Sequence, residues 1–210
     1  MESESDSLRE RLVDVGVELV TAQGSAALGL REIARRAGVS HGAPRRYFPT
    51  HHSLLSAIAR RGYAELQARF DAAVQGPATP RERLAALATA YVTFAVENRG
   101  MFELMFRHDL LDSAGQATDQ PQLRETTLPL FRGLVALVAR HQAHDAVDRV
   151  GEGSEPAVIT AALWSNVHGI AQLWTWGSLP LMLDAPPRDP DRLAELVGAA
   201  LDAHLGPAPR

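Results

Sequence analysis

The sequence predicts an all-α chain of about nine helices, and three observations carry that expectation. Apolar residues recur at helical spacing through most of the 210 residues. No stretch alternates polar and apolar residues convincingly enough to make a strand, and no internal repeat is visible. Each apolar run ends on glycine, proline or asparagine, the residues that stop helices.

The first helix is expected over residues 8–23. Leu8, Leu12, Val15 and Leu19 keep one stripe and Gly24 ends it. Two short helices joined by a tight turn follow. In the first, Ile33, Ala34 and Ala37 give one apolar edge, and Gly38 sits where the chain must reverse through the left-handed conformation. Val39 plugs the corner, and the hydroxyl of Ser40 is placed to cap the second short helix. Pro44 and Tyr47 face inward toward Ile33 and Val39, which makes the pair a helix-turn-helix unit. Pro44 lacks an amide hydrogen, so this second helix is expected to open on a short or tightened turn.

A long helix is expected from residue 52 or 53 to about 73, with Leu55, Ile58, Tyr63, Leu66 and Phe70 inward, ending before Gly76-Pro77. The fifth covers 80–98, with Leu84, Leu87, Tyr91, Phe94 and Ala95 buried, and Asn98-Arg99-Gly100 stops it. A short sixth, 101–108, is dense in Met101, Phe102, Leu104, Met105 and Phe106. Residues 113–120 read as a polar loop. A seventh helix, 122–144, is expected to kink or restart at Pro129, and 149–156 is a second loop. The eighth, 156–176, carries Ile159, Leu163, Val167, Ile170 and Trp174 on one side, and Gly169 is expected to allow close helix approach. Residues 179–190 form a proline-rich connector, and the last helix, 191–204, buries Leu193, Leu196, Val197, Ala200 and Leu201.

The outward side of the second short helix carries His41, Gly42, Ala43, Arg45 and Arg46. Two adjacent arginines alone describe a solvated face. With the turn glycine and the packing set behind them they describe a face that enters the DNA major groove, where arginine bonds guanine in bidentate fashion. Net charge is −4, yet residues 31–69 hold eight arginines against Glu32 and Glu65, a local +6 that leaves −10 on the remainder. One end of such a molecule meets phosphate while the other repels it. All 21 basic residues are arginine.

Gly24, the run Leu30-Arg31-Glu32-Ile33-Ala34-Arg35-Arg36-Ala37-Gly38-Val39-Ser40, Tyr47-Phe48-Pro49 and Leu54-Leu55 resemble the DNA-binding domain of TetR-family transcriptional regulators. Trp164-Ser165-Asn166-Val167-His168-Gly169 resembles the Trp-His-Gly signature of one class of their C-terminal domains. The resemblance implies residues 1–50 as a helix-turn-helix DNA-binding domain and residues 51–210 as a ligand-binding and dimerisation domain. It implies a homodimer through the last two helices, double-stranded DNA as partner and a small hydrophobic effector. The expected DNA-contacting set is Arg31, Ser40, His41, Gly42, Ala43, Arg45, Arg46, Tyr47 and His51. Two of these depart from the family pattern, which has a tyrosine where Arg45 stands and a lysine where His51 stands. Arg45 can reach a phosphate or read a base, and a mostly neutral histidine makes a weaker phosphate clamp.

The same resemblance makes Phe94, Phe102, Met105, Phe106, Phe131, Trp164, His168 and Trp174 the candidate effector contacts, with ordinary core packing as the plain alternative for each. No arginine cluster sits among them, so an aliphatic or aromatic effector is expected. His168 could donate to a ligand oxygen, or be satisfied by a neighbouring helix. His141 and His144 have a spacing that can hold a metal, but a frayed helix end beside Asp145 reads as solvated, so neither metal nor cofactor is expected.

Absent cysteine fits an intracellular, cytoplasmic setting. No apolar run of membrane-spanning length and no secretory segment is seen. A helical-bundle carrier or enzyme, and a DNA binder without an effector, are the competing readings. No phosphate loop, Ser-His-Asp set or carboxylate-rich metal site favours catalysis.

Overall fold

The structure is a computed structural model that describes residues 2–76, 79–107, 111, 123–145 and 154–208. Ten α-helices and one 3-10 turn run through them, with no strand among the described residues. They are α1 Glu2–Gln23, the turn Ser25–Ala27, α2 Leu30–Arg36, α3 Pro44–Tyr47, α4 His51–Ala73, α5 Pro80–Glu97, α6 Arg99–Met105, α7 Leu123–Asp145, α8 Pro156–Thr175, α9 Ser178–Met182 and α10 Pro190–Leu205. By contact the chain parts into two compact units: Met1–Glu65 with Asn98–Thr126, and Leu66–Glu97 with Thr127–Arg210. The division expected after residue 50 coincides with the start of α4, whereas the contact boundary lies inside it.

In the first unit α1 buries Leu12, Val13, Val15, Leu19 and Val20, α2 buries Ile33 and Ala34, and α4 buries Leu54, Leu55, Ile58 and Ala59. Each such leucine, isoleucine or valine contributes about 1.5–3 kcal/mol, a total that an isolated helix-turn-helix could not gather. α6 joins this core. Tyr63 donates its hydroxyl to the Met105 carbonyl at 2.8 Å, and Ser56 donates to the Leu111 carbonyl at 3.2 Å. Burial pushes the Tyr63 phenol well above its ordinary pKa. α4 opens on a reciprocal cap: Thr50 Oγ1 accepts from the Ser53 amide, and Ser53 Oγ accepts from the Thr50 amide.

The second unit is built on α5, α8 and α10 packed together. Leu84, Leu87, Val92 and Phe94 meet Leu163, Val167, Ile170 and Trp174 of α8 and Leu193, Val197 and Leu201 of α10 in its core. Thr79 and Glu82 exchange side-chain-to-amide bonds at the start of α5, and Asp189 accepts from the Arg192 amide at the start of α10.

Several expectations are revised. α1 begins at Glu2, ahead of the first apolar periodicity. Asn98 caps α6, but Arg99 and Gly100 lie inside it, because Gly100 is where α6 lies against the end of α1. α7 runs through Pro129 without a restart. The expected connector 179–190 contains α9, which starts after Gly177 in the left-handed conformation (φ 82°). Gly169 gives no close approach within the chain: a Cβ there meets nothing within 4 Å. His141 is buried rather than solvated, its Nε2 held 3.1 Å from the Leu205 carbonyl. The loop 113–120 and the stretch 149–153 lie outside the described residues, as do residue 108 at the expected end of the sixth helix and residue 122 at the expected start of the seventh.

Candidate nucleic-acid interface and effector residues

The turn between α2 and α3 is set by backbone bonds. The Ala37 amide donates to Ile33, Gly38 takes φ 69°, and the Val39 amide reaches back to the Ala34 carbonyl at 3.0 Å. That left-handed step releases the chain toward α3 with no Cβ penalty. Residues 41–43 then form a turn, with the Ala43 amide donating to Ser40 and the Arg46 amide to Ala43, both three residues back. The tightened opening expected from Pro44 is thus present, and α3 proper is one turn long with Pro44 at its start. The expected Ser40 cap is not formed: α3 begins four residues later, and the residue at its cap position, Ala43, has no side-chain acceptor.

Pro44 is buried and Tyr47 half-buried, while the fully buried aromatic is Phe48, which sequence reasoning did not single out as the plug. The Arg9 guanidinium lies over the Phe48 ring, 5.3 Å from its centroid. Its only sequence signal was an arginine on the inward flank of α1.

Arg31, Ser40, His41, Gly42, Arg45, Arg46 and His51 are exposed, and Ala43 is half-buried. The arginines divide sharply by partner. Glu32 accepts from Arg35 (2.9 and 2.7 Å) and from Arg36 (2.8 Å), and these bonds hold its carboxyl down to about 2. Arg61 pairs with Glu10, with Asp14 at 3.6 Å, and Arg69 with Glu97 at 2.6 Å. Arg31, Arg45 and Arg46 meet no carboxylate among the described residues. Arg35, Arg36, Arg61 and Arg69 are therefore answered by carboxylates, and the outward face of α3 is not. His51 places Nε2 2.5 Å from the Leu28 carbonyl. With that nitrogen as donor, a neutral ring has no second N–H for a phosphate.

The eight effector candidates fall in both units. Phe102 and Met105 are fully buried in the first, with Phe106 5.0 Å from Phe102 and 6.1 Å from Tyr63 between ring centroids. Gly62 lies against the Met101 and Met105 side chains. In the second unit Phe94 is fully buried with the Arg69 guanidinium 5.3 Å above its ring, and Phe131 is half-buried. Trp174 is buried and donates its indole N–H to the Pro187 carbonyl at 2.8 Å. Trp164 and His168 do come together: their rings stack 5.2 Å apart at 29°, and His168 Nδ1 lies 2.7 Å from the Tyr91 hydroxyl. Tyr91, read from sequence as core alone, is the missed member of this cluster.

Burial lowers the His168 pKa below its ordinary 6.5. The unfolded chain then takes up a proton on this ring before the folded one does, so its contribution is full above 6.5 and is lost as pH falls below it. Thermal melts from about pH 5 to 8 should show wild type losing stability at the acid end more steeply than His168→Gln. Parallel profiles would remove His168 as the cause. Among the described residues no group of three or more metal-ligating side chains forms, and no helix is long and apolar enough to cross a membrane.

Comparison with known proteins agrees with this geometry. Residues 12–58 match the family model described as bacterial regulatory proteins of the tetR family, and residues 84–201 match the tetracyclin repressor-like C-terminal domain. The latter is a general description that does not name the Trp-His-Gly class. The HTH-type transcriptional regulator BetI of Rhizobium meliloti is 40% identical over 79 residues, 38% of this chain and 39% of that protein. The HTH-type transcriptional repressor KstR of Mycobacterium tuberculosis is 28% identical over 129 residues, 61% of this chain and 58% of that one. The chain thus spans about two fifths and under two thirds of these relatives. A solved structure from Rhodococcus sp. RHA1, described as a protein with unknown function, superposes with a TM-score of 0.71 at 32% identity, covering 94% of this chain and 93% of its own. With one model matching more than half of its length and a second matching its helix-turn-helix, this chain belongs to the TetR family of DNA-binding transcriptional regulators.

Proposed function

We propose that the chain acts in the cytoplasm as a homodimeric repressor, holding a palindromic operator through α3 and its approach and releasing it when a small apolar effector binds. The observation that carries the reading is the exposed, carboxylate-free pair Arg45 and Arg46 on a one-turn helix whose opposite side is buried. One such head spans few base pairs, and a two-fold dimer doubles the contacts with half-sites about 34–36 Å apart. The exposed apolar residues Val158 and Leu173 on α8 and Trp176 just after it support pairing of that helix, with α10 packed beside it, against a second copy. The Tyr91–His168–Trp164 cluster, running from a buried tyrosine to an exposed tryptophan, supports an effector contact in the second unit, where His168 supplies the polar handle.

Fluorescence anisotropy on DNA from upstream of its own gene tests the reading. Wild-type affinity is expected to fall steeply with salt, by about 0.9 log units per log of salt for each phosphate neutralised. The double variant Arg45→Ala/Arg46→Ala should lose sequence-specific binding by about 100-fold or more while remaining dimeric. Unaltered affinity in that variant would remove α3 from the interface. A thermal-shift screen of apolar compounds addresses the effector, and a screen without hits would leave a regulator that answers to DNA alone.

A further inference from the structure

We infer that α3 reads guanine: each operator half-site is specified by two guanine positions, one recognised by Arg45 and one by Arg46. The inference deepens the proposed interface and rests on it. The α-helix turns about 100° per residue. With Pro44 buried and Tyr47 half-buried, the inward pole lies between those two, and Arg45 and Arg46 stand about 50° to either side of the outward one. Neither is the central side chain. They straddle the axis that would point to the groove floor, so each fork reaches a different base pair.

The rest of the reading segment supplies little that competes. From Gly24 to Leu66 the sequence contains no asparagine or glutamine, the residues that bond adenine in bidentate fashion. Its only carboxylates are Glu32 and Glu65. Glu32 is occupied by Arg35 and Arg36, so it does not accept from cytosine. Gly42 and Ala43, in the turn that leads into α3, bring no bulk, which lets the backbone approach the bases. The guanidinium fork matches guanine O6 and N7 and no other major-groove edge equally well.

Selection of binding sites by the full chain from a pool of randomised duplexes tests this, followed by affinity measurements on the enriched site. The charge-conserving variants Arg45→Lys and Arg46→Lys, with the alanine variants beside them, separate base reading from phosphate contact. Wild type is expected to enrich half-sites with two fixed guanines, each preferred roughly 10- to 100-fold over other bases. Each lysine variant should relax one of those positions and leave the other, with the salt slope unchanged. Enriched half-sites lacking guanine would overturn the inference. So would variants that weaken every sequence equally, because that pattern marks phosphate contacts. Failure of wild type to enrich any sequence would instead fall on the proposed interface itself, which keeps the two failures apart.

Discussion

A chain carrying Gly169→Arg is expected to sediment as a monomer with its helix content intact, and to lose operator affinity by about 10²–10⁴-fold. Val158, Ala161, Ala162, Ser165, Gly169 and Leu173 lie within one stripe of α8 at helical spacing, and Trp176 continues it at the C-cap. Val158 is 58%, Leu173 41% and Trp176 59% exposed. The opposite stripe, Leu163, Val167, Ile170 and Trp174, is buried. A helix apolar on both sides has a second face that a partner can cover. Because a Cβ at Gly169 meets nothing within 4 Å, the substitution leaves the subunit's own packing alone. Its effect therefore falls on association. Loss of the second head removes the effective concentration that couples two half-sites, which is why the loss in DNA affinity exceeds any direct contact. Sedimentation and anisotropy on the same sample check it. A variant that stays dimeric, or a wild type that is already monomeric, would rule out this pairing.

Gly100→Val is expected to produce the largest loss of stability of any single substitution considered, above the roughly 1–3 kcal/mol usual for overpacking. A Cβ at residue 100 would stand 2.2 Å from the Val20 carbonyl oxygen and 3.1 Å from the Gly24 Cα. Both are backbone atoms, so no rotamer change relieves the contact. The Val20 carbonyl also accepts the Gly24 amide that ends α1, so displacing it disturbs that terminus as well. The first unit's core, including the seat of the helix-turn-helix on α1, must shift. Gly133→Ala, inside α7 with open space around it, serves as the control. It should be neutral or stabilise by up to about 1 kcal/mol through helix propensity. Denaturant melts of the two variants beside wild type check the pair; equal midpoints for Gly100→Val and wild type would show that α6 does not lie against α1.

The helix-turn-helix was legible because each of its features is local. Gly38 at φ 69°, the Val39 return bond and the short opening at Pro44 involve residues a few positions apart, and their chemistry is visible in order. Phe48 as the buried plug was not legible, since two adjacent aromatics cannot both face inward and only the exit angle of α3 decides between them. The effector set was assembled from family resemblance and bulk. Its members separate once partners are seen: Trp174 is fixed on Pro187, whereas Trp164 and His168 form a cluster with Tyr91. Tyr91 lies 77 residues before His168, and no periodicity links them.

By itself the sequence determined the helices other than α9, the reading turn and the basic segment, because spacing, turn chemistry and charge act over a few residues. Only the tertiary structure decided that Arg61 is answered by Glu10 and Arg69 by Glu97, while Arg45 and Arg46 face outward. It also decided that Gly100, and not Gly169, is the glycine that lets backbones meet within the chain. Those outcomes depend on which distant atoms share a neighbourhood, and chain order does not encode distance.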